Sequence, residues 1–170
     1  MPSKSKTKGS SFEREVATHL SEIYNESFVR VPNSGAFVGG MNNVRRSYLS
    51  EEQIRGFKGD IIPGPSFPLL VFECKFYADF PFHQLLQNTD VLILDEWINQ
   101  TIDCMDDNDL GLLCMKFNRK GRYIAYEDKF KFKTTRSINY KNWLITEYDS
   151  FWELNIEQVK TYSQLTETIS

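Results

Sequence analysis

Residues 69–77 read LLVFECKFY. Leu69, Leu70, Val71 and Phe72, followed by Phe76 and Tyr77, predict a buried β-strand. Its middle carries Glu73 and Lys75. Taking an ionised carboxylate or ammonium out of water costs several kcal/mol unless something compensates it. The pair therefore has either a structural partner or a chemical task. Residues two apart in a strand share a face, so Glu73 and Lys75 project together while Cys74 turns the other way, toward the core.

Upstream, GDII (59–62), the turn PGPS (63–66) and the strand itself read as a β-hairpin. With its midpoint between Ser66 and Phe67, Asp60 falls opposite Glu73, and opposed residues of antiparallel strands share a face. Two carboxylates about 4 Å apart repel by roughly 4 kcal/mol at an effective dielectric near 20. Either one holds a proton or a cation lies between them. Two readings follow. A hard divalent ion can sit on one or two carboxylates, phosphate oxygens and water, with Lys75 orienting a water or holding developing charge. Alternatively, Lys75 forms a plain cross-strand ion pair with Asp60 and Glu73.

The rest of the chain places this strand in a sheet. Ser10 and Glu13 form an S-x-x-E capping box. Phe12, Val16, Ala17, Leu20, Ile23 and Tyr24 then recur at helical spacing, predicting a helix over 11–25 behind a flexible basic arm, 1–9. SFVRVP (27–32) reads as a short strand ended by Pro32. Residues 33–58 read as a long insert loop, mobile and basic in places. DFPFHQLLQ (79–87) and NTDVLILDEWINQTIDCM (88–105) read as helices; Val91, Leu94, Ile98 and Ile102 form one apolar stripe, usable as core or as a dimer surface. LGLLCMKF (110–117), NRKG and RYIAY (122–126) make a strand–turn–strand unit. KFKFK (129–133) reads as an edge strand or a phosphate contact, and NWLIT (142–146) as a short strand. DSFWELNIEQVKTYSQL (149–165) reads as a terminal helix capped by Asp149 or Ser150. The expected class is α/β, one domain over 10–170, with a mixed central β-sheet flanked by helices.

Composition narrows the function. The chain has 170 residues, 41% of them apolar, enough for one core. No apolar run approaches the ~20 residues a bilayer span needs, and no apolar segment follows the basic start, so neither a membrane partner nor a secretory signal is expected. Cys74, Cys104 and Cys114 lack zinc-ligand spacing and fit reduced thiols of a cytoplasmic protein. Net charge is −3, but it is segregated: residues 76–115 hold eight acids and no Lys or Arg, whereas 116–145 hold nine bases and two acids. Such segregation permits a basic face on an acidic protein.

KGSSFEREVATHL (8–20), VRVPNSGAF (29–37), KGDII (58–62) and LLVFECK (69–75), in this order, resemble the PD-(D/E)XK nuclease superfamily, and within it the archaeal-type Holliday junction resolvases and their phage relatives. The resemblance implies a restriction-endonuclease-like fold and a magnesium-dependent endodeoxyribonuclease, manganese substituting, with no small-molecule cofactor. It implies a homodimer acting on branched DNA in recombination, repair or phage DNA processing, in the cytoplasm, nucleoid-associated or in a phage-infected host. By resemblance Glu13, Asp60 and Glu73 hold metal, and Lys75 and Ser34 join them in catalysis. Arg14 and Arg30 lie near the scissile phosphate, and the helix after ECK is where relatives often place a Gln or Lys, here Gln84. Lys8, Arg45, Arg46, Arg55 and Lys58 are the remaining candidate phosphate contacts. Two rivals stand beside this expectation: a nuclease of the same superfamily cutting flaps, single strands or duplex ends, and a non-catalytic nucleic-acid-binding module.

Overall fold

The protein is described by a computed structural model, which covers residues 4–32 and 58–164. In chain order the elements are α1 (Lys4–Tyr24), β1 (Val29–Arg30), β2 (Ile61–Ile62), β3 (Leu70–Tyr77), α2 (Phe82–Leu86), α3 (Leu92–Asp103), β4 (Leu110–Phe117), β5 (Gly121–Glu127), β6 (Ser137–Tyr140), β7 (Trp143–Glu147) and α4 (Tyr148–Tyr162). Five strands form one sheet in the order β3-β4-β5-β7-β6. Strands β3 and β4 are parallel, joined across α3, and the other pairs are antiparallel. The fold is α/β, a mixed central sheet flanked by helices of restriction-endonuclease type, as expected.

The pleat of β3 divides the core in two. Leu70, Phe72 and Cys74 face one apolar cluster with Phe12, Val16 and Leu20 of α1 and Phe151 and Trp152 of α4. The opposite face of the sheet, through Leu113, Met115, Phe117 and Ile145, packs on Leu94, Trp97 and Ile98 of α3. The stripe of α3 is therefore largely core: Val91, Leu94 and Ile98 are buried and Ile102 is half-exposed. Cys74 points inward as expected, and all three cysteines are free. Among the described residues no helix is long and apolar enough to cross a membrane.

Four expectations are corrected. Helix α1 begins at Lys4, so residues 4–9 are helical rather than a free arm, and Ser10 lies inside the helix with its hydroxyl donating to the Thr7 carbonyl at 3.2 Å. The early turns are tied down by Lys8, whose Nζ donates to Asn118 Oδ1 at 3.4 Å and lies 5.5 Å from the Phe76 ring centre. Second, β2 does not continue a ladder with β3; it pairs antiparallel with β1. Pro63, Pro65 and Pro68 carry no amide hydrogen and cannot extend such a ladder. Third, residues 131–134 are irregular, and the edge strand is β6, which was not foreseen. Finally, α4 starts at Tyr148, one residue before the expected caps. Of the insert 33–58, all but Lys58 lies outside the described residues.

Candidate active site

A glycine sets the geometry. Gly59 has φ +67°, and a Cβ there would stand 2.2 Å from the Phe72 carbonyl oxygen. Only glycine allows this approach without strain. It lets the Asp60 N–H donate to the Phe72 carbonyl at 2.7 Å. The Asp60 carboxylate then accepts the Cys74 N–H at 2.7 Å on Oδ2, while the Asp60 carbonyl accepts the Val31 N–H at 2.9 Å. Asp60 is thus fixed against the edge of β3 beside Glu73, by one backbone bond and one side-chain bond instead of a hairpin ladder.

Glu73 is 3% exposed and Asp60 4%. Lys75 Nζ donates to Glu73 Oε1 at 2.6 Å and to Gln100 Oε1, on α3, at 2.5 Å. Gln100 is held in turn by Glu96, which accepts from its Nε2 at 3.3 Å. Burial pushes the Glu73 carboxyl up to about 7; Asp60 adds to the rise, the charge and hydrogen bond of Lys75 oppose it, and Glu13 contributes a smaller upward push. A closed ion pair would leave Glu73 an ordinary carboxylate. Its raised value reports first the burial of the carboxyl and then the charge of Asp60, which together outweigh the one ammonium. Burial pulls Lys75 down, yet Glu73, through charge and hydrogen bond, and Asp60 lift it above the ordinary lysine value. Lys75 is therefore a fixed cation, suited to holding negative charge and unsuited to accepting a proton at neutral pH.

Glu13 comes from α1, buried, and accepts from Arg30 Nε. Arg14 and Arg30 line a groove of about 700 Å³ between α1 and β1. Lys58 differs from its expected role as a phosphate contact. It is 7% exposed, and its Nζ meets Asp106 Oδ2 and Asp109 Oδ2, each at 2.6 Å. It anchors the segment that delivers Asp60. Ser34, Arg45, Arg46 and Arg55 lie outside the described residues. The glutamine that meets Lys75 is Gln100, not Gln84; no short-range pattern marks a residue 25 positions beyond Lys75. His19 is satisfied by the Tyr148 hydroxyl at 2.7 Å.

The donors are all carboxylate oxygens, the chemistry of a hard divalent cation. Among the described residues no three His, Cys, Asp or Glu side chains converge into a ready cage. Asp60 and Glu73 are the pair that fits, since magnesium is commonly held by one or two carboxylates with water and phosphate completing the shell. A cation needs Glu73 ionised. In the ion-free protein a carboxyl raised from 4.5 to about 7 keeps a proton that the unfolded chain has released. Stability contributed by Glu73 is therefore lost as pH rises across that window. A divalent cation bound there would expel the proton, so affinity for such a cation is expected to rise about tenfold between pH 6 and pH 8. Calorimetry at the two pH values checks this; an affinity flat across the range contradicts the coupled pair.

The sequence model of a family described as "Phage putative PDDEXK endonuclease" matches residues 4–167. No curated protein and no solved structure gives a significant match.

Proposed function

The chain belongs to this phage PD-(D/E)XK endonuclease family, a nuclease superfamily whose members generally use divalent metal ions, and from that premise we propose that it cuts DNA at Asp60, Glu73 and Lys75. The observation that carries the reading is the buried Asp60–Glu73 pair, with Glu73 raised to about 7 although Lys75 is bonded to it. Asp60 and Glu73 would hold a divalent ion, with Glu13 adjoining. A divalent ion there supplies positive charge at the phosphate and makes water more acidic.

The protein's own groups do the remainder. Lys75, held by Glu73 and Gln100, presents its ammonium to the charge that gathers on the phosphate oxygens. Water's oxygen bonds to phosphorus in line as the opposite P–O ester bond breaks, leaving one phosphate end and one hydroxyl end. Arg30, paired with Glu13, and Arg14 lie along the groove through which a DNA backbone would approach.

Four-way junctions are the substrate this reading favours, on the strength of the 8–75 motif order, and a two-fold dimer would supply the paired cuts. The buried face of α3 is committed to the core, so such a dimer would use another surface. The test is a panel of labelled junction, flap, single-strand and duplex DNA with magnesium, run beside light scattering. Fastest cleavage of the junction by a species of twice the 19.9 kDa chain mass is expected. Fastest cleavage of flaps or ends by a monomer would select the flap or end-processing nuclease instead.

A further inference from the structure

Tyr77 lies on the same face of β3 as Glu73 and Lys75, two residues beyond the lysine and so about 7 Å along the strand. It is 43% exposed. Its inner side rests on Trp97, which is 1% exposed, with ring centres 4.8 Å apart. Trp97 in turn stacks toward Phe80 at 5.9 Å and Phe117 at 6.2 Å. Tyr77 is thus the open end of a buried aromatic column, held rigidly with one side facing solvent.

A single exposed ring is ordinary on a protein surface. Two neighbours make this one different. The first is the Lys75 ammonium on the same face. The second is the β4–β5 turn, joined to Tyr77 by the Asn118 N–H donating to the Tyr77 carbonyl at 3.2 Å. That turn carries Arg119 and Lys120, both exposed. Lys120 pairs with Asp79, whereas Arg119 makes no ion pair among the described residues. Lys8 of α1 lies on the other face of the strand, over the Phe76 ring, and takes no part here. A rigid aromatic surface beside a basic backbone track is how proteins hold single-stranded nucleic acid: the bases stack and the phosphates meet cations.

We propose that Tyr77 is a stacking platform for an unpaired nucleobase of the cleaved strand, about one nucleotide from the scissile phosphate, with Arg119 meeting the adjoining backbone. The proposal rests on the nuclease reading of the Glu73–Lys75 face and names its substrate feature. Inside a duplex both faces of a base are already stacked, so a ring at the rim of the site gains only from a base that has left the helix. The protein then favours strands with an unpaired or extruded nucleotide at the cut.

The test is binding by full-length protein in chelator, so that nothing is cleaved, to oligonucleotides carrying 2-aminopurine. Wild-type protein is expected to quench the fluorophore in single-stranded DNA or at a branch, and not in a duplex. Tyr77→Ala should lose the quenching and weaken single-strand binding on the order of tenfold, with duplex affinity changed less than about twofold. Tyr77→Phe keeps the ring and should bind as wild type. Tyr77→Leu keeps an apolar contact on Trp97 without a stacking face; it should behave as Tyr77→Ala, and it carries the test if the alanine variant does not fold. Equal losses on single-stranded and duplex DNA, or full binding by both ring-less variants, would overturn the platform. Wild-type protein that cleaves no DNA with divalent ions would sink the nuclease reading itself.

Discussion

Cleavage by Asp60→Asn is expected to fall by about a thousandfold, while DNA binding is kept or tightened. The ion that Asp60 is proposed to hold would contribute several kcal/mol to the transition state, and each 1.4 kcal/mol is roughly a factor of ten. Asparagine keeps an acceptor for the Cys74 N–H that positions residue 60, so the fold is preserved. It removes a negative charge that a phosphate backbone would otherwise meet. It also removes a charge that raises Glu73. Glu73→Gln should lose cleavage to the same extent. Rates on labelled DNA with divalent ion, and DNA binding in chelator, check both halves. Near wild-type cleavage by either variant would remove Asp60 and Glu73 from the reaction.

The second large effect is on stability. Lys58 is the counter-charge of Asp109, which is 2% exposed, and it also meets Asp106. Lys58→Met leaves a buried carboxylate uncompensated. Breaking a buried ion pair from one side costs about 3–5 kcal/mol, which for a chain of this size lowers Tm by roughly 10 °C or more. Adding Asp109→Asn should recover much of the loss, because the stranded charge is then gone. Because Lys58 lies two residues before Asp60, the single variant should also lose activity. A loss below about 1 kcal/mol would mean that water reaches the cluster and that Lys58 is not the anchor of this segment.

What could be read from the chain, and what could not, follows from the range of the interactions. Glu73 and Lys75 share a face because of the two-residue period of a strand, a local property. Cys74 turns inward for the same reason, and NRKG at 118–121 announces its own turn. Asp60 does lie beside Glu73, but by a route the pattern did not contain. The prolines at 63, 65 and 68 forbid a regular hairpin, and the positive φ of Gly59 brings the backbone onto Phe72 instead. Ser10 and Glu13 satisfied a capping rule that tertiary contacts overrode, since Lys8 docks on Phe76 and Asn118 and keeps the helix going upstream. Lys58 looked like one more surface cation. Its partners, Asp106 and Asp109, are brought to it by the α3–β4 connection. Gln100 had no local signature, because what selects it is the packing of α3 across the face of β3.

Asp60, Glu73 and Lys75 are proposed to form a nuclease site that needs a divalent ion. The most direct measurement takes chelator-treated, full-length protein, mixes it with end-labelled junction and duplex DNA, and follows product bands with magnesium, with manganese and with chelator alone. Discrete cleavage products with either ion, none in chelator, and none from Glu73→Gln are the expected result. No cleavage of any DNA by wild-type protein, or equal cleavage with and without divalent ion, would contradict it.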